Sequence, residues 1–273
     1  MSLVVLLSAK GSPGVTTAAV ALAAGWPADR SAVVVEADVA GGDLAATCGL
    51  AIDPGLGSLA SAGRHGFDSD TLLAHSQILP CGIRAVVGPP SDSEAAAALE
   101  ALRTNLEPAL ASSPIDVLAD CGRFSSDETL ETLLAHADLG LIVTRPTLAG
   151  VEHVAARLTV IRSMTPHVEL LLVGERPYPP AEVAETLGCQ VAGVVPDDAR
   201  GAQSLFSPGG VNSWWGARSA LVRSARSIAD GLASRLPNSP TIPAEPPAPR
   251  IPPAPAEPMR VAATARSITG RRP

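Results

Sequence analysis

Residues 3–22, LVVLLSAKGSPGVTTAAVAL, decide the fold. An apolar run, Leu3–Leu7, gives way to a turn bearing Gly11 and Gly14, then to two threonines and an Ala-rich segment of helical composition. A strand that turns through glycines into a helix aims backbone N–H groups, and the positive end of the helix dipole, at one point in space. That arrangement suits a phosphate. Thr16 stands where a metal-ligating hydroxyl belongs, while the position just before it, which normally carries a phosphate-gripping lysine, holds Val15. Pro13 removes one N–H donor and stiffens the turn.

The cations of the chain sharpen the point. Nineteen of its twenty basic residues are arginine, and the single lysine, Lys10, lies inside this stretch. Lysine is a compact ammonium on a flexible stem and arginine a rigid planar fork, so the two are not interchangeable at a phosphate. The placement favours a phosphate-contacting Lys10.

Outward from the loop, short β-rich runs alternate with Ala-rich helical patterns. The strand expectations are Leu3–Leu7, Ala32–Ala37, Ile83–Val87, Ile115–Ala119, Leu139–Val143, Val168–Val173 and Gln190–Val194, with helices near 16–25, 92–112, 126–136, 147–164, 180–187 and 217–236. Apolar strands each followed by a helix predict an α/β fold: a doubly wound, mostly parallel sheet of about seven strands, covered by helices on both faces in three layers. Such sheets take their ligands beyond the carboxyl ends of the strands.

Composition excludes several alternatives. The 273 residues are 46% hydrophobic but only 3% aromatic, so the core must be built from Ala, Val and Leu. The four cysteines form no CxxC pair, and neither HExxH nor GxSxG occurs, so zinc and serine-hydrolase chemistry have no support. A net charge of −7 argues against broad DNA binding, which rests on neutralising phosphates. No apolar run reaches membrane-spanning length and no signal-peptide plan opens the chain, which reads as cytoplasmic.

Residues 1–236 read as one domain and 237–273 as a Pro-rich, disordered tail. The tail holds 11 of the 26 prolines and five arginines against two glutamates. It reads as a solvated segment or as a docking segment for a partner. Residues 216–236 place Leu221, Ile228, Leu232 and Leu236 near one helical face. Packing on the sheet and peripheral membrane contact both account for that pattern.

At this point the residues carry a resemblance. KGSPGVTT (10–17) resembles the deviant Walker A box KGGxGKTT of the ParA/MinD group of P-loop ATPases. Lys10 matches the group's signature lysine, and Gly11, Gly14, Thr16 and Thr17 match as well. Ser12 replaces a glycine and Val15 the central lysine. VVVEADVAGGDLA (33–45) is similar to the group's second strand and switch I, with Glu36 in place of the first Asp. IDVLADCG (115–122) resembles the Walker B strand, HADLGLIVTRPTLAGVEHV (136–154) the ADxxLxVTxP segment, and VAGVVPDD (191–198) the late xxGxIPxD strand. HSQILPCGIRAVVGPP (75–90) is nearest to the pilus-assembly branch, the CpaE/TadZ-like proteins, whose Walker boxes are often degenerate.

The resemblance implies ATP and Mg²⁺ as ligands. Gly11, Ser12, Gly14, Val15, Thr16 and Thr17 would cradle the nucleotide, and Thr16, Asp38 and Asp120 would serve the metal. Lys10, Asp38 and Asp120 would be the catalytic set, Asp38 positioning the attacking water and Lys10 reaching across a homodimer to the partner's nucleotide. Gly174 stands where the group keeps an adenine-recognising Asn, so ATP is the family default. Losing the central lysine forfeits about 4 kcal/mol of pairing at 4 Å and an effective dielectric of 20. The implied function is a MinD/ParA-like positioning or assembly protein with slow or no hydrolysis. It would serve a partner protein of a partitioning, septum, pilus or secretion system, with recruitment to a membrane or cell pole. The alternative is a non-enzymatic scaffold. A small-molecule kinase or ligase on the same fold lacks any visible acceptor site.

Overall fold

Six consecutive buried residues, Leu3–Ser8, form β1, the strand through which the rest of the sheet is organised. The structure, a computed structural model, describes residues 2–11, 13–105, 114–207 and 219–237. Ser12 and, beyond Pro237, the expected tail lie outside the described residues. The chain divides into a body of residues 1–242 and a second unit, 243–273, none of which is described.

Among the described residues the order is β1, α1 (Val15–Ala24), β2 (Ala32–Glu36), α2 (Leu44–Cys48), α3 (Leu56–Ala62), a 3-10 turn (Gly63–His65), α4 (Ser69–Ala74), β3 (Gln77–Ile78), β4 (Arg84–Val86) and α5 (Asp92–Arg103). There follow β5 (Asp116–Arg123), α6 (Glu128–Ala135), β6 (Leu139–Thr144), α7 (Leu148–Met164), β7 (Val168–Val173), α8 (Pro180–Leu187), β8 (Val191–Val195), α9 (Ala199–Phe206) and α10 (Ala220–Ala233). All seven expected strands are present. The sheet has eight, because the two-residue β3 adds an antiparallel edge to β4.

The strand order is β3-β4-β2-β5-β1-β6-β7-β8, parallel apart from β3. From β1 the chain winds first towards β4, returns through β5, then winds the other way through β6 to β8. The winding therefore reverses around β1 and β5, where such sheets open a crevice at their carboxyl ends. Two apolar clusters fill the two faces of the sheet: one joins Leu7, Val33, Leu59, Leu99 and Leu134, the other Leu6, Leu22, Val34, Leu141 and Leu171.

Local chemistry sets the helix ends. The side chains of Ser91, Asp127, Thr147, Asp198 and Ser219 each accept a backbone N–H at the start of α5, α6, α7, α9 and α10. Proline opens α8 and Gly188, left-handed at φ +53°, closes it. Expected helix 92–112 ends at Arg103, and residues 106–112 lie outside the described residues.

In α10, Leu221, Val222, Ala225, Ile228, Ala229, Leu232 and Ala233 are buried, and the helix packs on α1 and β8. The apolar face that sequence alone left open to a membrane is thus occupied by the body itself. Among the described residues no helix is long and apolar enough to cross a membrane.

At the amino ends of the strands one guanidinium joins distant segments. Arg30 Nε donates to Asp116 Oδ2 at 2.7 Å and Nη2 to Asp116 Oδ1 at 2.9 Å, with both side chains buried. Arg30 also donates to the carbonyls of Ala233 and Pro237, at 2.8 and 2.9 Å. Trp26 Nε1 and the Ser2 N–H donate to the same carboxylate, and Ser2 Oγ donates to the Pro237 carbonyl at 3.1 Å.

Candidate functional site

The loop between β1 and α1 turns on two left-handed glycines, Gly11 at φ +78° and Gly14 at φ +97°. Only glycine adopts these values without strain, and a β-carbon at Gly11 would meet nothing within 4 Å. Gly14 caps α1 through its backbone alone: its carbonyl accepts Ala18 N–H at 2.9 Å, no side chain caps the helix, and no acidic residue occupies the first turn. The first amides of α1 are thus held open to an anion.

Thr16, in that first turn, has its side chain close enough to the Asp120 carboxyl to favour its ionised form. Asp120 ends the regular part of β5, paired in register with Leu6 of β1 and Glu36 of β2. Beyond it the pairing slips: Ser8 aligns with Arg123, so β5 carries an extra residue at this point. Gly122, at φ +57°, takes up the slip, donating its N–H to Asp120 Oδ1 at 3.1 Å and accepting Ser8 Oγ at 3.2 Å. Burial pushes the Asp120 carboxyl up to about 6; the Thr16 side chain and the Gly122 N–H oppose the shift, and the charges of Glu36 and Asp38 add to it.

Asp38 arrives from β2. Its carboxylate fills the space a β-carbon on residue 122 would take, and its Oδ1 accepts Ala40 N–H at 2.8 Å. Partial burial raises its carboxyl above the ordinary range, Asp43 adds to the rise, and Arg123 draws it back. Thr16, Asp38 and Asp120, predicted together from sequence, are brought together.

Glu36 has a different part. It is 3% exposed and accepts three backbone N–H groups: Asp43 at 2.7 Å and Leu44 at 2.9 Å on Oε1, and Gly88 at 2.8 Å on Oε2. Sequence reasoning registered it only as a replaced aspartate. The signal that could have located its partners is the glycine pair Gly41–Gly42 beside it and Gly88 after β4.

Two residues of the loop stand apart. Val15 is 6% exposed, its side chain committed to the apolar cluster under α1. Lys10 is exposed, and the charges that chiefly act on Asp38 and Asp120 come from other residues. The cleft beside the loop, about 160 Å³, is lined by Pro13, Gly14, Thr17, Arg145, Pro196 and Asp197, and Arg145 pairs with Asp197 at 2.5 Å. Gly174 closes β7 at φ +84° and donates to the Val195 carbonyl.

These residues fit a phosphate chain with a divalent ion in their amides, hydroxyl and carboxylates. Among the described residues no group of three or more His, Cys, Asp or Glu is placed to hold a metal by itself. An ion here would depend on Thr16 and on phosphate oxygens.

No family model matches the chain, and no curated protein matches it. Solved structures do. A ParA family ATPase from Chlorobium tepidum superposes with a TM-score of 0.68 at 19% identity, over 84% of this chain and 98% of that one. The cell division ATPase MinD of Pyrococcus furiosus gives 0.65 at 15%, over 86% and 99%. MinD of Pyrococcus horikoshii, complexed with Mg-ADP, gives 0.61 at 16%, over 85% and 95%. The chain therefore has the fold of the ParA and MinD ATPases.

Proposed function

We propose that the chain is a nucleotide-binding protein of ParA/MinD type serving intracellular positioning or assembly, with a degenerate phosphate loop and slow or absent ATP hydrolysis. The observation that carries this reading is the convergence of Thr16, Asp120 and Asp38 beside a glycine turn whose helix amides are uncapped. The backbone amides of Gly11, Gly14, Val15, Thr16 and Thr17 would hold the phosphates, Thr16 and Asp120 would hold Mg²⁺, and Asp38 would orient water. Bound Mg·ATP supplies the phosphoryl group and the divalent charge that neutralises it. Val15 itself lies in the core, and Lys10 is the only cation among the described residues of the loop. Lys10, exposed, serves a second copy in a homodimer, so each site is complete only across the pair. The 75–90 segment and the degenerate loop favour a pilus or secretion machine as the partner system.

A second reading, a scaffold that never turns over nucleotide, is favoured by one observation, the burial of Val15. Titration with a fluorescent ATP analogue and Mg²⁺ separates the two. Weak saturable binding, weakened further in Lys10→Ala, supports the first; no saturation at millimolar nucleotide leaves the scaffold. Equal binding by the variant removes Lys10 from the site.

A further inference from the structure

The β2–α2 loop, residues 37–43, carries Asp38, and its backbone is bonded almost throughout. Ala37 N–H reaches the Asp120 carbonyl at 2.7 Å, Ala40 N–H the Asp38 carboxylate, and Gly41 N–H the Asp38 carbonyl at 3.1 Å. Gly42 N–H reaches the Pro89 carbonyl at 2.8 Å, and Asp43 and Leu44 N–H reach Glu36 Oε1. The other oxygen of Glu36 holds Gly88 N–H, beyond β4. One carboxylate thus joins two segments that also meet through the Gly42–Pro89 bond, and the fit leaves no slack. A β-carbon on Gly42 would stand 2.5 Å from Glu36 Oε2 and 2.7 Å from the Gly88 carbonyl, and one on Gly41 would stand 2.5 Å from the Pro90 carbonyl.

We propose that Glu36 is a positioning residue: its carboxylate latches the Asp38 loop to the Gly88–Pro90 segment, making that loop a fixed wall beside Asp120 rather than a segment that orders when nucleotide arrives. A carboxylate that is itself 3% exposed meets little solvent competition, and the Leu44 and Gly88 donors it releases are left buried and unpaired. Aspartate, one methylene shorter, does not span both sets of amides. A nucleotide-driven change, where one occurs, is then carried by elements other than residues 37–44. This last clause rests on the nucleotide reading above; the latch itself does not.

Hydrogen exchange on the full chain tests it. In the wild type, the amides of residues 42–44 and 88 exchange slowly, at rates that millimolar Mg·ATP leaves unchanged. Glu36→Gln turns one accepting oxygen into a donor facing donors, so the amides on that oxygen, either Asp43 and Leu44 or Gly88, exchange about tenfold faster or more. Gly42→Ala, which keeps the carboxylate but forces the loop off it, gives the same local loss, and it decides the matter if Glu36→Gln does not fold. Amides of Leu170–Leu172 in β7 serve as the reference and stay unchanged in both variants. Unchanged protection at residues 43, 44 and 88 together in the variants overturns the latch, as does equal loss at β7, which would make the effect global. Protection at 42–44 that rises with Mg·ATP in the wild type overturns the fixed wall. A parallel fluorescence titration showing no binding sinks the nucleotide reading and leaves the variants to judge the latch alone.

Discussion

Asp38 and Gly122 share one volume: the carboxylate of the first lies where the second would carry its side chain. Gly122→Ala therefore cannot keep both the strand end and the carboxylate in place, and its φ of +57° adds strain for any L residue. The variant is expected to lose about 1–3 kcal/mol of stability in urea denaturation. Its hydrolysis, where the wild type has any, falls further than its stability does, because Asp38 is the group displaced.

The Asp120 carboxyl gives a pH prediction with a defined sign. Its folded value of about 6 lies above the ordinary 3.8, so the folded state binds the extra proton between those values and loses stability as the pH rises through them. Charging it in the interior costs about 3 kcal/mol near neutrality. Asp120→Asn should melt higher than wild type at pH 7.5, with the difference closing towards pH 4. A difference independent of pH would show that the carboxyl is not the titrating group. Mg²⁺-dependent nucleotide binding should strengthen from pH 5.5 to pH 8, since the ion needs the ionised form.

Val15→Lys restores a cation at the loop and removes an apolar group from the core. The stem can run along the apolar surface while the ammonium reaches the phosphate side, so the expected cost is about 1–2 kcal/mol of stability. Against this, Mg·ATP binding should tighten by at least tenfold, a fraction of the roughly 4 kcal/mol of one close pair. Calorimetric titration beside a thermal melt reads both numbers. Unchanged affinity would mean that the loop amides, not the missing charge, limit binding.

Arg30→Ala leaves the Asp116 carboxylate buried without its guanidinium. Breaking one side of a buried pair typically costs about 3–5 kcal/mol, and the loss should appear in urea denaturation with nucleotide affinity unaffected. A loss below 1 kcal/mol would show that Trp26 and the Ser2 N–H suffice to hold Asp116.

The sheet was legible because each interior strand is a run of five or so apolar residues with a helix after it, and parallel strands covered on both faces need no alternation. The region from Leu44 to Ile78 was not. Its helices span five to seven residues, too short to show a period, and β3 has only two residues. α9 is longer but opens on Asp198 beside a second aspartate, a cap that composition disguises as a turn. In the site, Thr16 stood out beside the glycine turn, and Asp38 and Asp120 through the resemblance of their strands to the ParA/MinD motifs. The work of Glu36 did not, because one of its three amide partners lies 52 positions away and joins it only through the strand order. The seat of Asp38 over Gly122 was equally hidden, since it depends on an extra residue in β5 that no spacing announces.

The hydrogen bond from Ser2 to Pro237 brings the first and last described residues together, at the amino ends of the strands, opposite the β1–α1 loop. Chains whose ends lie side by side can be rejoined and reopened elsewhere without altering which strands are neighbours. Linking residue 237 to residue 2 and cutting at the exposed Arg64–Gly66 turn would give a circular permutant with the same sheet. In that permutant Lys10 and the β1–α1 loop fall in the interior of the chain, and cargo can be attached at the new ends.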